Sequence, residues 1–179
     1  GNGSNGTTTL AESSPEQIVY TPNTDYNGTD TFSYTITQGD KTSSADVSVT
    51  IEAVNDAPSI DIASTIQVAE NQTAVTTVSV SDVDEDTITF SIGGTDADSF
   101  DWTISASEVE NVPYKFDVYI EFKEAPDFET KSSYLITLSL TDGIETVTKD
   151  ITITVTNVND VAPVFTSEAT FSADENQTA

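Results

Sequence analysis

The sequence predicts an all-β protein made of tandem β-sandwich repeats. Val, Ile and Thr are abundant whereas leucine occurs only four times, a composition that favours strands over helices. Apolar and polar residues alternate in short runs separated by Gly, Asp, Asn and Pro, which is typical of antiparallel sheets with one buried face. Two motifs recur 105 positions apart, which indicates successive copies of one structural unit.

Each predicted strand is a run with this two-residue period. The alternating apolar residues are Phe32/Tyr34/Ile36, Ala45/Val47/Val49/Ile51/Ala53, Ile88/Phe90/Ile92, Phe100/Trp102/Ile104, Phe116/Val118/Ile120/Phe122, Tyr134/Ile136/Leu138/Leu140 and Ile151/Ile153/Val155. We expect Trp102 to be a core residue of its strand. About seven short strands in roughly 100 residues fit a sandwich of two sheets.

The repeated motifs divide the chain into three parts. Asn55-Asp56-Ala57-Pro58 recurs as Asn159-Asp160-Val161-Ala162-Pro163, and Glu70-Asn71-Gln72-Thr73-Ala74 recurs at 175–179. We therefore predict the C-terminal part of one repeat at 1–56, a complete repeat at 57–160 and the start of a following repeat at 161–179. Neither end part is long enough to close a sandwich alone, so we expect both to lean on neighbouring repeats of the same chain.

Composition excludes several classes of function. The chain has 31 acidic residues, five lysines and a formal net charge of −26, so nucleic acid is not an expected partner, because phosphate binding requires basic residues. Cysteine, histidine, methionine and arginine are absent, which excludes disulfides, the usual zinc sites and catalysis by Ser–His or Cys–His pairs. No apolar run reaches the length of a transmembrane segment. The acids gather at repeat edges rather than in a cleft, so we do not expect an enzyme.

Oxygen-bearing side chains concentrate at the two repeat boundaries. Calcium takes six to eight oxygen ligands, and a sandwich brings its loops together at its two ends. Two carboxylates about 4 Å apart repel by roughly 4 kcal/mol at an effective dielectric of 20, so a folded cluster of acids calls for a cation. The candidates at the first junction are Asn55, Asp56, Asp82, Asp84 and Asp142, and those at the second are Glu70, Asp127, Glu129, Asn157, Asn159 and Asp160.

These residues resemble the calcium motifs of cadherin repeats in their order and spacing. The matching segments are Ala69-Glu70-Asn71, Asp82-Val83-Asp84, Ala125-Pro126-Asp127-Phe128-Glu129, Thr141-Asp142-Gly143 and Val158-Asn159-Asp160-Val161-Ala162-Pro163. Residues 93–100 look like the variant found in long bacterial surface adhesins, and residues 20–30 with 55–58 are similar to the cadherin-like tandem repeats of those calcium-dependent, RTX-type adhesins.

The resemblance implies a fold and a set of calcium ligands. It implies a Greek-key β-sandwich of the cadherin/immunoglobulin-like type, with Ca²⁺ bound between successive domains. It also implies that Glu70, Asp127, Glu129 and Asp160 are ligands from the preceding domain, and that Asp82, Asp84 and Asp142 are ligands from the following one.

The function implied is that of a calcium-rigidified extender repeat in a bacterial cell-surface or secreted adhesin. Calcium at each interdomain joint would hold the array as a stiff extracellular rod for cell adhesion and biofilm formation. A second interpretation remains open, in which the repeat is itself a binding module for homophilic contact, for a host surface or for carbohydrate.

The sequence departs from the family pattern at both junctions. Asn157 and Ala53 stand where the family's linker begins with an aspartate, and Asn27 stands where a glutamate is expected. Gln38 likewise replaces an aspartate at a strand end. We therefore predict that the first junction binds fewer ions than the second, or binds them more weakly.

Overall fold

The computed structural model describes residues 1–11, 17–105 and 114–160, with the single residues Ala162, Val164 and Glu175. Most of the predicted third part, 161–179, therefore lies outside the described residues. Within them, no helix reaches the length and apolar character that a membrane span requires.

Twelve strands make up nearly all of the regular structure in the described part of the chain. The first part contains β1 (Gly6–Ala11), β2 (Gln17–Pro22), β3 (Gly28–Gln38) and β4 (Lys41–Ile51). The complete repeat contains β5 (Ser59–Asp61), β6 (Thr65–Ala69), β7 (Ala74–Ser81), β8 (Thr89–Gly93), β9 (Phe100–Ile104), β10 (Lys115–Phe122), β11 (Ser133–Thr141) and β12 (Thr146–Thr156). One 3₁₀ turn, Ala97–Ser99, precedes β9.

The complete repeat is a sandwich of two four-stranded sheets. One sheet has the order β5-β7-β10-β9 and the other β6-β12-β11-β8. The chain crosses between the sheets at every step except β9 to β10 and β11 to β12, which gives the Greek-key connectivity. All described pairings are antiparallel except that of β6 with β12, which is parallel. The predicted fold class is confirmed.

The core lies between these two sheets and follows the predicted alternation. β11 buries Ile136, Leu138 and Leu140, and β12 buries Ile151 and Ile153. Each of these residues is at most 1% exposed. Burying a side chain of this size contributes about 1.5–3 kcal/mol. An aromatic group closes one part of the core, with ring centroids 4.5–5.8 Å apart among Phe100, Phe122 and Tyr134.

Trp102 is only partly the core residue that the alternation predicts. Its ring meets buried Phe90 edge-on, with centroids 5.1 Å apart. The side chain is nevertheless 37% exposed, and Ile104 is 46% exposed. Both residues belong to β9, which ends the sheet order, and an inward-facing side chain on an edge strand is covered on fewer sides than one on a central strand.

The first part is held together by one buried carboxylate. β1 pairs with β2 and β3 pairs with β4, and Asp30 on β3 is only 4% exposed. Its oxygens accept hydrogen bonds from the backbone N–H of Asn5 at 2.9 Å and from the Tyr20 hydroxyl at 2.6 Å. The Tyr20 ring also stacks on Phe32, with centroids 5.7 Å apart. Asp30 therefore links β3 to β2 and to the segment that precedes β1.

Truncating Leu138 should destabilise the complete repeat by about 2–5 kcal/mol, because the cavity lies among fully buried neighbours. Leu135→Ala is the matched control on the same strand, since Leu135 is 43% exposed, and it should change the free energy of unfolding by less than about 1 kcal/mol. Urea titration followed by Trp102 fluorescence measures both. Equal losses would contradict the assigned faces of β11.

The Asp30–Tyr20 pair should make the first part sensitive to pH at both extremes. The hydrogen bond from Tyr20 lowers the pKa of Asp30, so its contribution is present above the unfolded pKa of about 3.9 and is lost as pH falls through the lower folded value. Burial, followed by the bond to Asp30, raises the pKa of Tyr20 to about 12, so its contribution is lost as pH rises through that value.

Hydrogen exchange of the β1 and β3 amides measures this dependence. Asp30→Asn should abolish the acid-side loss of protection while leaving the amides of β11 and β12 unchanged. Identical acid profiles for the two proteins would show that Asp30 does not hold the first part together.

Candidate metal centre

Three acids meet in the loop that follows β7, at the end of the sandwich where the linker arrives. The carboxylates of Asp82, Asp84 and Asp86 offer oxygens that all lie within 4.8 Å of one another. One Asp82 oxygen, Oδ1, accepts the backbone N–H of Asp84 at 2.9 Å and that of Asp86 at 3.3 Å. Glu85 adopts a left-handed φ of 64°, which turns the chain back on itself. Asp86 did not figure in the sequence prediction.

The second Asp82 oxygen is the unusual feature of this loop. Asp82 is only 5% exposed, and its Oδ2 is buried without a hydrogen-bond partner in the described structure. The side-chain oxygen of Asn55, Oδ1, is buried and unpartnered in the same way. A buried acceptor without a partner costs about 1–3 kcal/mol, and more when it is charged. Two such oxygens fit a hard divalent cation, which binds carboxylate and amide oxygens.

The linker is attached to this end of the repeat by two hydrogen bonds. The Asn55 side chain donates through Nδ2 to Oδ2 of Asp142 at 3.0 Å, and the backbone N–H of Asp56 donates to Oδ2 of Asp84 at 2.6 Å. Hydrogen bonds thus connect the linker to both loops: Asn55 contacts Asp142, and the backbone of Asp56 contacts Asp84, which is grouped with Asp82. We call Asn55, Asp82, Asp84, Asp86 and Asp142 the near-end site.

Asp142 is held in its ionised form by donors from its own loop. Its Oδ1 accepts the backbone N–H groups of Ile144 at 2.7 Å and Glu145 at 2.6 Å. The bond from Glu145, followed by that from Asn55, lowers the pKa of Asp142. A deprotonated carboxylate is the form that a cation requires.

The opposite end of the sandwich holds a second group of acids. Glu70 follows β6, while Asp127 and Glu129 lie between β10 and β11, and their carboxylate oxygens also lie within 4.8 Å of one another. Glu70 is 2% exposed, but both its oxygens have partners. Oε2 accepts the Phe128 N–H at 2.9 Å and Oε1 accepts the Val158 N–H at 2.6 Å.

The other acids at this end are tied to the loop and to the outgoing linker. The hydroxyl of Thr130 donates to Oδ2 of Asp127 at 2.8 Å and is the main cause of the lowered pKa of Asp127. Asn157 donates to Oε1 of Glu129 at 2.7 Å. In the same region Asn71 donates to Oδ2 of Asp160 at 2.5 Å.

Four of the predicted residues, Glu70, Asp127, Glu129 and Asn157, therefore come together at this end, and Asp160 is tied to the same region through Asn71. We call Glu70, Asp127, Glu129, Asn157 and Asp160 the far-end site. Asn159 lies in the same linker without a hydrogen bond to these side chains among the described residues, so its predicted place in the site stays a prediction.

The two sites differ in how their negative charge is balanced. The far-end acids are stabilised largely by backbone N–H groups, whereas the near-end site keeps buried oxygens that nothing in the described structure satisfies. Lysine neutralises neither group. The described ion pairs join Lys123 to Asp101 at 3.8 Å and Lys131 to Asp96, both outside the two sites.

Comparison with known proteins shows the type of fold. Residues 1–50 match the protein family described as a bacterial Ig domain. A search of curated proteins found none similar to the chain.

Solved cadherin structures resemble a larger part of the chain. Mouse clustered PcdhgC3 EC1-3 has a TM-score of 0.56 at 18% identity, over 85% of this chain and 52% of that one. Protocadherin Gamma B7 extracellular cadherin domains 1–4 give 0.56 at 18% identity, over 93% and 43%. Protocadherin Gamma B2 extracellular cadherin domains 1–5 give 0.54 at 21% identity, over 89% and 31%. The chain thus spans about half or less of the length of these three structures. At these identities the likeness shows the fold, a cadherin/Ig-like β-sandwich repeat.

Proposed function

We propose that this chain is a calcium-binding extender repeat of a bacterial cell-surface or secreted adhesin. The observation that carries the proposal is the buried Oδ2 of Asp82, which has no hydrogen-bond partner in the described structure and lies in a group with two further aspartates. A fold keeps such a group charged when a cation supplies the missing interaction. The oxygen-only ligand set selects calcium or magnesium over the softer transition metals.

At the near-end site, the cation's ligands come from the linker and from the complete repeat. Asn55 brings the linker, while Asp82, Asp84, Asp86 and Asp142 come from two loops of the repeat. Bound calcium would join the linker to the sandwich and restrict the motion of the linker relative to it. With no acid contributed by β1–β4, this site would bind in the weak extracellular range of about 10⁻⁴–10⁻³ M.

At the far-end site, the complete repeat acts as the preceding domain. Glu70, Asp127 and Glu129 offer carboxylates, and the hydrogen bond from Asn71, the residue after Glu70, to Asp160 of the outgoing linker supports a place for Asp160 in the same site. A following repeat would add the counterparts of Asp82 and Asp84. Each joint would then be stiffened by shared ions rather than by a large apolar interface.

The comparisons support the extracellular and adhesive setting. The solved structures that resemble this chain are described as extracellular cadherin domains, and the family matched by residues 1–50 is a bacterial Ig domain. Tandem β-sandwiches with acidic joints fit a spacer that holds a binding domain away from the cell.

Calcium should raise the thermal stability of the complete repeat, and Asp82→Asn should remove most of that gain. At about ten times the dissociation constant, one site contributes about 1.4 kcal/mol, or roughly 6–11 °C for a domain of this size. Without calcium, Asp82→Asn should be neutral or stabilising, because it removes one of three repelling charges. Melting followed by circular dichroism, in chelator and in millimolar calcium, gives both values.

Asp46→Asn is the matched control, because this exposed β4 aspartate lies outside both sites. It should keep the full calcium response. The calcium-site proposal fails if the melting temperature of Asp82→Asn depends on calcium as that of the unchanged protein does. It also fails if calcium changes the melting temperature of neither protein.

Calcium should also stiffen the joint between the first part and the complete repeat. Small-angle scattering of the whole chain should give a larger maximum dimension and a narrower distribution of shapes in calcium than in chelator. Asp82→Asn in calcium should scatter like the unchanged protein in chelator. Superimposable curves under all three conditions would rule out the proposed stiffening, whatever the melting data show.

A further inference from the structure

Three Asn-Gly pairs occur in the first part, and one of them lacks the hydrogen bonds that restrain the other two. They are Asn2-Gly3, Asn5-Gly6 and Asn27-Gly28. We propose that Asn27 is a site of spontaneous deamidation, which changes its side-chain amide into a carboxylate after folding.

The reaction needs only water beyond the chain itself. The backbone nitrogen of Gly28 loses its proton and attacks Cγ of Asn27, a C–N bond forms, and ammonia leaves to give a cyclic imide. Water then opens the imide at either carbonyl, which yields aspartate or isoaspartate. No oxidant or reductant is involved. Glycine is the residue that favours this attack most, because it has no side chain to hinder the ring and its backbone is the freest.

The first two pairs are held in conformations that oppose ring closure. The Asn2 side-chain oxygen accepts the N–H of Thr8 at 2.9 Å and its hydroxyl at 3.0 Å. Asn5 donates its N–H to Asp30 at 2.9 Å, and its carbonyl accepts the N–H of Asn23 at 2.8 Å. Gly6 is buried, and a Cβ built on it would lie 2.4 Å from the Tyr20 ring, so the Asn5-Gly6 backbone has little room to rearrange.

Asn27 has none of these restraints. Its residue is exposed and belongs to the irregular segment before β3, and no described hydrogen bond engages its side chain. Gly28 opens the β3–β4 ladder opposite Ile51, where pairing frays most readily. The φ of Gly28, 118°, lies in the range that glycine tolerates. A Cβ built on Gly28 would come no closer than 3.4 Å to its nearest neighbour, the hydroxyl oxygen of Tyr26. The Asn27-Gly28 backbone can therefore reach the ring-closing geometry without unfolding the hairpin.

The carboxylate produced by deamidation would strengthen calcium binding at the first junction. This extension rests on the proposed function. In the far-end site Glu129 follows Asp127 by two residues, and Asn27 stands in the same relation to Asp25. Because Gly28 pairs with Ile51, Asn27 lies at the end of the hairpin from which the linker to Asn55 departs. Deamidation would give the first part a carboxylate at this junction, and calcium would bind there more tightly as the protein ages.

Peptide mapping by mass spectrometry tests the modification. The whole chain is incubated at neutral pH and 37 °C, folded and in urea, and the mass gain of amide-to-acid conversion is followed at each site. In the folded protein Asn27 should convert at least about tenfold faster than Asn5, and in urea the two rates should converge. Asn27→Gln, which keeps Gly28, should stay unmodified. Equal folded rates at Asn27 and Asn5 would overturn the proposal.

The calcium extension has its own readout. Asn27→Asp should show a larger calcium-induced rise in melting temperature than Asn27→Gln. An identical rise in the two variants would overturn the extension while the mapping result stands. A protein whose melting temperature ignores calcium in every variant would instead contradict the proposed function.

Discussion

The loops at the two ends of the complete repeat are shaped by one constraint, that a buried negative charge must be balanced. Neighbouring carboxylates repel one another, and the two ends of the fold differ in how this repulsion is offset. At the far end, backbone N–H groups surround Glu70, so its burial is balanced by the chain itself. At the near end, Asp82 uses one oxygen to shape its loop and leaves the other buried without a partner. The burial of Glu70 is thus balanced by backbone donors, whereas the buried Oδ2 of Asp82 has no counterpart among the described residues.

This difference separates the roles of core and loops. The apolar layers of β11 and β12 hold the sandwich whatever the ionic conditions, because their burial involves no charged group. The carboxylates lie in the loops at either end, so the proposed dependence on calcium is confined to those loops. Under the proposed function, calcium would act on the joints between repeats without changing the fold of the repeat itself. The first part likewise contains a buried carboxylate, that of Asp30, which accepts hydrogen bonds from Asn5 and Tyr20.

Much of the fold could be predicted because it follows from local alternation. The two-residue period predicts the inward residues of β10, β11 and β12, and the recurring motifs predict Asn55, Asp56, Glu70, Asn159 and Asp160. The remaining acids, Asp82, Asp84, Asp127, Glu129 and Asp142, are predicted from their place in loops and from the resemblance to cadherin calcium motifs. What the sequence could not show depends on tertiary position. Asp86 joins the near-end site because Glu85 turns left-handed, Trp102 is partly exposed because β9 lies at a sheet edge, and Asp30 is buried by contacts from Ser4, Asn5 and Tyr20. None of these has a periodic signal. The division into three parts stays a prediction.

The parallel pairing of β6 with β12 has a mechanical consequence. These strands lie near the entry and the exit of the complete repeat, and they run side by side in the same direction. Tension applied to the two ends of the repeat therefore pulls the strands past each other along their length. Five residue pairs, from Thr65↔Thr152 to Ala69↔Thr156, share the load together, instead of separating one after another as they would in a hairpin pulled open from its tips. A series of such units would resist a pulling force until all the hydrogen bonds between β6 and β12 break together.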